Sequence, residues 1–193
     1  MIRTPPPELE ALYQQALSEP SDIVEHLSLL RQLASECDHV TEFGMRNGNS
    51  TVSLLAAQPR VLISWDVDPW SVISQRTADL TAVAGNTTFQ PRVGNTLEIV
   101  AESTDLLFID TLHTAAQLKA ELVRHADPTE KKVRRYLVFH DTATFGDVGE
   151  DGSVPGLRAA IRWFQRCHSF PQWELIEDRK NNNGLVVLRA VQS

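Results

Sequence analysis

The sequence predicts an α/β fold: a doubly wound, mostly parallel sheet of seven strands, with N-terminal helices and an antiparallel C-terminal hairpin. Three observations predict this fold class. From residue 38 onward, short strand-like runs alternate with segments of helical length. The runs Leu106–Ile109 and Leu137–Phe139 are continuously apolar, as strands buried on both faces of a parallel sheet are. Near the end, Asn183-Gly184 separates two further strand-like runs, which is typical of a hairpin turn.

The first element is helical. Residues 6–36 carry apolar residues at helical spacing, interrupted at Pro20-Ser21-Asp22, where Asp22 or Ser21 offers an N-cap. We interpret residues 1–37 as an N-terminal helical extension and residues 38–193 as the main domain. The N-terminal helices also offer a contact for a homodimer.

The remaining elements follow in the order expected of βα units. Strands are predicted at residues 39–43, 61–66, 87–90, 105–110, 136–140, 173–177 and 185–188. Helices are predicted over residues 49–57, 70–83, 114–126 and 156–168, and a turn over residues 181–184. In an open α/β sheet, ligands bind beyond the carboxyl ends of the strands. Every predicted parallel strand is followed there by polar or acidic residues, so a ligand site is expected at this edge.

Composition limits the class of partner. The chain has 193 residues, and 18 Lys+Arg against 25 Asp+Glu give a net charge of −7. Because an acidic chain repels phosphates, we predict no nucleic-acid partner. No apolar run approaches the roughly 20 residues of a membrane helix, and the N-terminus lacks a secretory signal, so no membrane partner is expected. Two distant cysteines, Cys37 and Cys167, fit reduced thiols and predict a cytoplasmic protein.

The turn after the first predicted strand has the most specific pattern. Gly44 and Gly48 allow a tight turn close to a ligand, and a helix begins near Ser50 with free N–H groups that attract an anion. The spacing differs from the dinucleotide pattern G-x-G-x-x-G. Glu42 would repel a pyrophosphate and would favour a cationic amine. An ordinary βα turn with two glycines is the alternative interpretation.

Asp66 ends the second predicted strand. A carboxylate at this position can accept hydrogen bonds from both hydroxyls of a ribose, although Asp68 is a rival for that role and a solvated loop acid is the alternative. A ligand that combines an ammonium, a carboxylate and a ribose without phosphate is S-adenosylmethionine. We therefore predict this cofactor.

Four motifs together resemble a known family. They are Glu42-x-Gly44-x-x-x-Gly48-x-Ser50, the acid at the end of strand two, Phe108-Ile109-Asp110-x-x-His113, and Phe139-His140-Asp141-Thr142. In this order they resemble the class I S-adenosylmethionine-dependent methyltransferases, which have a Rossmann-like fold. The branch they resemble is cephalosporin-hydroxylase-like and includes metal-dependent O-methyltransferases of macrolide sugars. The resemblance covers roughly residues 38–190.

The resemblance implies roles for individual residues. Glu42 would hold the methionine ammonium, the loop Gly44–Ser50 would surround the methionine and ribose, and Asp66 would bind the ribose. Gly94, Asn95 and Thr96 would border the adenine. The cofactor-binding set implied in this way is Glu42, Gly44, Met45, Arg46, Asn47, Gly48, Ser50, Asp66, Gly94, Asn95, Thr96 and Asp110.

The resemblance also implies a catalytic centre. His113 would be the base and Asp110 the second catalytic residue, with Asp110, His140 and Asp141 as ligands of Mg²⁺ or Mn²⁺. The chemistry fits, because a metal lowers the pKa of a bound hydroxyl and a nearby His takes its proton. Relatives tend to have two adjacent carboxylates where this chain has His140-Asp141, and the Pro-Gly-Gly that often precedes strand five is missing. His140 is the weakest expected ligand, because neighbours in a strand face opposite sides unless the strand has ended.

The predicted function is O-methylation of a small-molecule acceptor such as a sugar or a natural product. The glycine-rich residues 142–156 are predicted to form an acceptor-site lid with Phe145 as a contact, and a flexible connector is the alternative. Other functions stay open: a methyltransferase-like binding module without catalysis, and a non-haem iron oxygenase using His113, His140 and one Asp. A nicotinamide oxidoreductase is disfavoured by the glycine spacing and Glu42. The non-functional alternative is that Asp110 and Asp141 are ordinary loop acids, that His113 caps a helix and that His140 is a hydrogen-bonded core histidine.

Overall fold

A computed structural model describes residues 3–127, 132–167 and 173–191. By its internal contacts the chain divides into two compact units, one ending at Thr96 and one beginning at Leu97. In the described parts of the chain, no helix is both long enough and apolar enough to span a bilayer.

The first unit combines three parallel strands with helices. Its elements are α1 (Pro7–Ser18), a 3₁₀ turn (Val24–His26), α2 (Leu27–Ser35), β1 (His39–Phe43), α3 (Asn49–Ala56), β2 (Val61–Asp66), α4 (Pro69–Val72), α5 (Gln75–Ala82) and β3 (Thr88–Val93). The strands follow the order β3-β2-β1. Helices α1 and α2 pack against α3, and Leu9, Leu30 and Leu54 are fully buried there. The predicted N-terminal helices therefore contribute to the core of this unit.

The second unit contains the other four strands. Its elements are β4 (Thr104–Ile109), α6 (Ala115–His125), β5 (Val133–His140), α7 (Leu157–Cys167), β6 (Trp173–Arg179) and β7 (Leu185–Ala190). The order is β4-β5-β7-β6, with β4 and β5 parallel and both pairings of β7 antiparallel. Phe108 and Leu137, from the two apolar runs of the sequence, are fully buried.

The predicted fold class is confirmed: the sheet has seven strands, with a mostly parallel core and an antiparallel C-terminal hairpin. One predicted helix was wrong in its extent, because residues 70–83 form two helices, α4 and α5. Asp68 Oδ1 accepts the N–H of Trp70 (3.0 Å) and Ser74 Oγ accepts the N–H of Thr77 (3.1 Å). Each side chain starts a separate helix. The end of the helix predicted at residues 156–168 lies outside the described residues.

Four predicted strands extend by two residues or more beyond their expected limits, namely β3, β5, β6 and β7. The weak third strand reaches Val93 and includes Pro91, which is tolerated because β3 is an edge strand and loses no pairing when one N–H is missing. Strand β5 begins at Val133 and ends at His140. Three residues singled out in the sequence directly follow strand ends: Gly44 after β1, Asp110 after β4 and Asp141 after β5.

Candidate active site

The loop between β1 and α3 has the backbone that its glycines predict. Gly44 and Gly48 have φ angles of 87° and 76°, which glycine adopts without steric cost. Arg46 also has a positive φ, 44°. Gly48 is the residue before α3, and a Cβ atom there would lie 3.2 Å from Leu80 Cδ1. The loop is thus closely packed against α5, and a Cβ atom at residue 48 would require Leu80 to move.

Asp66 fixes this loop from the end of β2. Its Oδ2 accepts the backbone N–H groups of Met45 (3.0 Å) and Arg46 (2.8 Å), and its Oδ1 accepts that of Asp68 (2.9 Å). A carboxylate has about four acceptor sites, so these bonds leave one free, on Oδ1. Asp66 therefore has capacity for one direct hydroxyl contact in this arrangement, whereas the sequence interpretation assumed two. Its rival Asp68 caps α4.

Glu42 lies at the centre of a buried hydroxyl network. Its side chain is fully buried, and its oxygens accept hydrogen bonds from Ser50 Oγ (2.5 Å), Thr51 Oγ1 (2.8 Å) and Ser64 Oγ. These donors belong to the start of α3 and to β2. The carboxylate thus ties the glycine loop's helix to the sheet. The hydrogen bonds give Glu42 a structural role, because they hold the start of α3 against the sheet. Direct contact between Glu42 and a cofactor ammonium stays a prediction.

The other predicted cofactor residues of the first unit have varied surroundings. Met45 is buried, whereas Arg46 is exposed and pairs with Asp22 at 2.7 Å. Asn47 is also exposed. Gly94 donates its N–H to Asp66 O (2.9 Å), which places the residues after β3 beside the end of β2. Asn95 is half-buried and Thr96 is buried. Asp110, the last member of that set, belongs to the second unit.

In the second unit, three predicted metal ligands come together. One ligand atom from each of Asp110, His140 and Asp141 lies within 4.8 Å of the others. His140 Nδ1 is 3.3 Å from Asp110 Oδ1 and 3.4 Å from Asp141 Oδ2. Asp141 Oδ1 is buried without a hydrogen-bond partner among the described residues. An orphaned buried carboxylate oxygen costs free energy unless a donor or a cation satisfies it, so the set fits a divalent metal.

The backbone explains why two neighbouring residues converge. Strand β5 ends at His140, and Asp141 has a φ of 57°. This left-handed conformation breaks the alternation of the strand and brings the Asp141 carboxylate to the same side as the His140 ring. Asp tolerates this backbone better than most residues. His140 was expected to be the weakest ligand because neighbouring side chains in a strand point to opposite faces. That argument does not apply here, since the strand ends at His140.

His113 lies beside the same carboxylates. Its Nε2 is 2.8 Å from Asp141 Oδ2 and 3.3 Å from Asp110 Oδ1. His113 follows β4 by four residues and precedes α6, whose N-cap is Thr114. The helix-cap alternative for His113 is therefore wrong, because the Thr114 hydroxyl accepts the N–H of Gln117 and performs that role.

The four side chains shift one another's pKa values. Burial lowers the pKa of His113, but hydrogen bonds to Asp110 and Asp141 outweigh it and raise the pKa to about 10. His140 responds in the same way, with a pKa of about 10. Burial raises the pKa values of Asp110 and Asp141, yet hydrogen bonds with the two imidazoles hold both below the usual range. The neighbouring carboxylates therefore favour the protonated form of both imidazoles.

The sequence interpretation missed two acidic residues near this cluster. Glu150 Oε2 lies 2.8 Å from His113 Nδ1, although the residues are 37 positions apart. Glu121 is fully buried and accepts hydrogen bonds from the Thr111 hydroxyl (2.8 Å) and Gln117 Nε2 (2.9 Å). Only Glu121 had a local signal, since Gln117 and Glu121 share one helix face.

Phe145, the predicted contact of the acceptor, packs beside His113. Its ring stacks on the His113 imidazole, with centroids 4.9 Å apart and an interplanar angle of 11°. The surrounding loop is held by backbone bonds, such as Leu157 N–H to Phe145 O (2.9 Å) and Gly156 N–H to Asp147 O (2.8 Å). Phe145 is thus part of the wall around His113, and the lid function stays a prediction.

The chain is similar to known methyltransferases in both sequence and fold. A family model described as "Methyltransferase domain" matches residues 41–142, just over half of the chain. No curated protein matches the sequence. Among solved structures, the O-methyltransferase TomG from Streptomyces achromogenes, involved in tomaymycin synthesis and bound to S-adenosylmethionine, is 15% identical with a TM-score of 0.66. The match covers 100% of this chain and 92% of TomG.

Two further structures show the same fold. An O-methyltransferase from Bacillus cereus in complex with SAH is 15% identical, with a TM-score of 0.64, covering 95% of this chain and 90% of that one. A Corynebacterium glutamicum protein is 16% identical, with a TM-score of 0.68, covering 96% and 90%. The family match over the glycine loop, Asp66, Asp110, His113 and His140-Asp141 agrees with the resemblance seen in the sequence. This chain belongs to the methyltransferase-domain family, within the class I S-adenosylmethionine-dependent methyltransferases.

Proposed function

We propose that this protein transfers the methyl group of S-adenosylmethionine to a hydroxyl oxygen of a small molecule, with Mn²⁺ or Mg²⁺ held by Asp110, His140 and Asp141. The observation that carries the proposal is the cluster of two carboxylates and one imidazole with a buried, unpartnered oxygen, Asp141 Oδ1. His113 beside the cluster supplies a group that can accept a proton. A sugar or another natural product is the proposed acceptor class.

The first unit would bind the cofactor. Asp66 holds the glycine loop by two N–H groups and keeps one acceptor site on Oδ1 for a ribose hydroxyl. The positive φ angles of Gly44 and Gly48 let the loop turn tightly, and a tight turn of this kind allows backbone to approach a ligand closely. Glu42 keeps the start of α3 in place through Ser50 and Thr51. Because the loop is already ordered, it loses less conformational entropy when the cofactor binds, which favours binding.

The second unit would activate the acceptor. When bound by these ligands, a divalent cation offsets the charge of the carboxylates and lowers the pKa of the acceptor hydroxyl. The raised pKa of His113 comes from Asp110 and Asp141, so offsetting their charge would leave His113 neutral. His113 Nε2, which faces the same carboxylates, would then accept the hydroxyl proton. Phe145 covers one face of the His113 ring and excludes water from it. Because His140 is a nitrogen ligand, the site should favour Mn²⁺ over Mg²⁺.

Methyl transfer itself provides the test. Purified protein is incubated with S-adenosylmethionine, Mn²⁺ and a panel of sugar and phenol acceptors, and formation of the demethylated cofactor is measured. We expect acceptor-dependent turnover that exhaustive chelation abolishes and Mn²⁺ restores. The variant Asp141→Asn should lose at least about 100-fold in kcat, because an amide replaces the anionic ligand.

A matched control is Asp105→Asn, since Asp105 lies in β4, is half-buried and pairs with the exposed Arg134 at 2.7 Å. This variant should retain wild-type turnover. Full turnover by Asp141→Asn, or by chelated wild-type protein, would exclude metal assistance. Absence of heat on titration with S-adenosylmethionine would exclude the cofactor.

A further inference from the structure

The His113 ring is held on three sides within the second unit. Nε2 faces Asp141 Oδ2 (2.8 Å) and Asp110 Oδ1 (3.3 Å), and Phe145 stacks on one ring face. The third side is Nδ1, which lies 2.8 Å from Glu150 Oε2. A ring fixed at both nitrogens and by stacking has a single orientation. Only Glu150 among these neighbours has no role in the proposed methyl transfer so far.

Glu150 is joined to His113 by its backbone as well as its side chain. The N–H of Glu150 donates to His113 O (3.0 Å), and the N–H of His113 donates to Glu150 Oε2 (3.3 Å). Together with the ring contact, three hydrogen bonds link the two residues. A pair of flexible exposed side chains would not show this reciprocal arrangement, so the contact is built into the loop.

Gly149 allows this close approach. A Cβ atom at residue 149 would lie 2.8 Å from Ser153 Oγ and 3.3 Å from His113 O. The N–H of Gly149 donates to Ser153 O (2.8 Å), which closes a short turn around Glu150. A larger residue at position 149 would push the loop away from His113. Close packing against Ser153 and His113 therefore explains why residue 149 is a glycine.

We propose that Glu150 is a positioning residue whose carboxylate holds Nδ1 of His113, so that Nε2 faces Asp110 and Asp141. This inference rests on the proposed function, in which His113 accepts the acceptor proton. In a neutral imidazole one nitrogen carries the proton and the other has the lone pair. A carboxylate at Nδ1 keeps the proton there and leaves Nε2 as the basic nitrogen. Glu150 touches neither the acceptor nor the metal ligands directly in this assignment.

Measurements of kcat and KM distinguish positioning of His113 by Glu150 from a general effect of negative charge in the loop. Glu150→Ala should lower kcat about 10- to 100-fold, the cost typical of removing a partner that orients a functional His. The KM values for cofactor and acceptor should change less than twofold. Glu150→Gln keeps an oxygen that can accept the Nδ1 proton, so it should restore much of kcat.

The matched control is Asp147→Ala, which removes an exposed carboxylate from the same loop. It should leave kcat unchanged. An equal loss of kcat in both alanine variants would overturn the proposal, and so would a rise in KM with kcat unchanged in Glu150→Ala.

A second readout does not depend on activity. In metal-free protein labelled with ¹⁵N-histidine, the ring resonances of His113 are assigned with His113→Gln. We expect a downfield, slowly exchanging Nδ1 proton in wild type that moves upfield in Glu150→Ala and persists in Asp147→Ala. An unchanged Nδ1 proton in Glu150→Ala overturns the positioning role. Failure of every acceptor to be methylated would instead refute the proposed function and leave the NMR result standing.

Discussion

Gly48 shows how one residue links backbone conformation to the proposed cofactor site. Its φ of 76° suits glycine, and an added Cβ would also contact Leu80 at 3.2 Å. A side chain there meets two separate penalties, a left-handed backbone and a crowded neighbour. The loop it closes is the one that Asp66 holds through Met45 and Arg46.

We expect Gly48→Ala to lower the free energy of unfolding by about 2–3 kcal/mol, from left-handed strain plus overpacking. Gly152→Ala is the matched control, because residue 152 has a φ of 81° but nothing within 4 Å of an added Cβ. That variant should lose only about 1 kcal/mol. Urea unfolding measures both, and titration calorimetry should show weaker S-adenosylmethionine binding for Gly48→Ala alone. Equal losses in the two variants would show that Leu80 imposes no constraint.

At the scale of elements, Arg158 connects α7 to two other segments. Its Nε donates to Thr142 O (2.7 Å), just after the Asp141 turn, and its guanidinium forms a bidentate pair with Asp178 in β6 (2.6 and 3.0 Å). A hydrogen bond from Arg158 lowers the pKa of Asp178 to about 2, although burial opposes the shift. The α7–β6 contact thus supports the segment that carries the proposed metal ligands.

The sign of the resulting pH dependence follows from the lowered pKa. The unfolded chain has an Asp pKa of about 3.9, so the pair stabilises the protein fully above that value. The stabilisation is lost as the pH falls towards about 2. Asp178→Asn should therefore cost about 0.5–1 kcal/mol at pH 7, a value reduced because the pair is partly exposed, and nothing near pH 2.

Urea unfolding of both proteins at several pH values between 2 and 7 tests this prediction. Glu174→Gln, which breaks the exposed pair of β6 with Arg189, is the control and should be neutral throughout. If the loss in Asp178→Asn were the same at pH 2 and pH 7, ionisation of Asp178 would not be its cause.

The elements themselves were largely predictable, because the central strands have a local apolar signature. The runs around Leu107 and Val138 gave buried strands, and Asn183-Gly184 gave the hairpin. The division between α4 and α5 was missed although Ser74 is a typical N-cap. Residues at strand ends were predicted to meet because parallel strands share an edge, which placed Asp110 near Asp141. Glu150 was not predictable, since no spacing rule links a loop residue to a side chain 37 positions away.

At the scale of the whole molecule, the proposed ligands depend on different parts of the chain. The residues proposed to hold the cofactor loop, Glu42 and Asp66, belong to the first unit. The proposed metal ligands Asp110, His140 and Asp141 belong to the second. Substitutions should therefore separate the two binding events, even though both are needed for turnover.

A ligand that binds only the folded protein stabilises it, by about 2.7 kcal/mol at a concentration 100 times its Kd. Wild-type protein should thus gain thermal stability from S-adenosylmethionine and from Mn²⁺. Asp141→Asn should keep the first gain and lose the second. Asp66→Asn should do the reverse, because the amide keeps only one accepting oxygen. It therefore loses either the Met45 and Arg46 N–H groups or the Oδ1 site that accepts the Asp68 N–H and is proposed to accept a ribose hydroxyl. Differential scanning calorimetry with each ligand measures all four combinations. If Asp141→Asn lost the stabilisation by S-adenosylmethionine as well as that by Mn²⁺, cofactor binding would require the cluster of Asp110, His140 and Asp141. The predicted contact of Asp110 with the cofactor is consistent with that outcome. Retention of the Mn²⁺ gain in that variant would place the metal elsewhere.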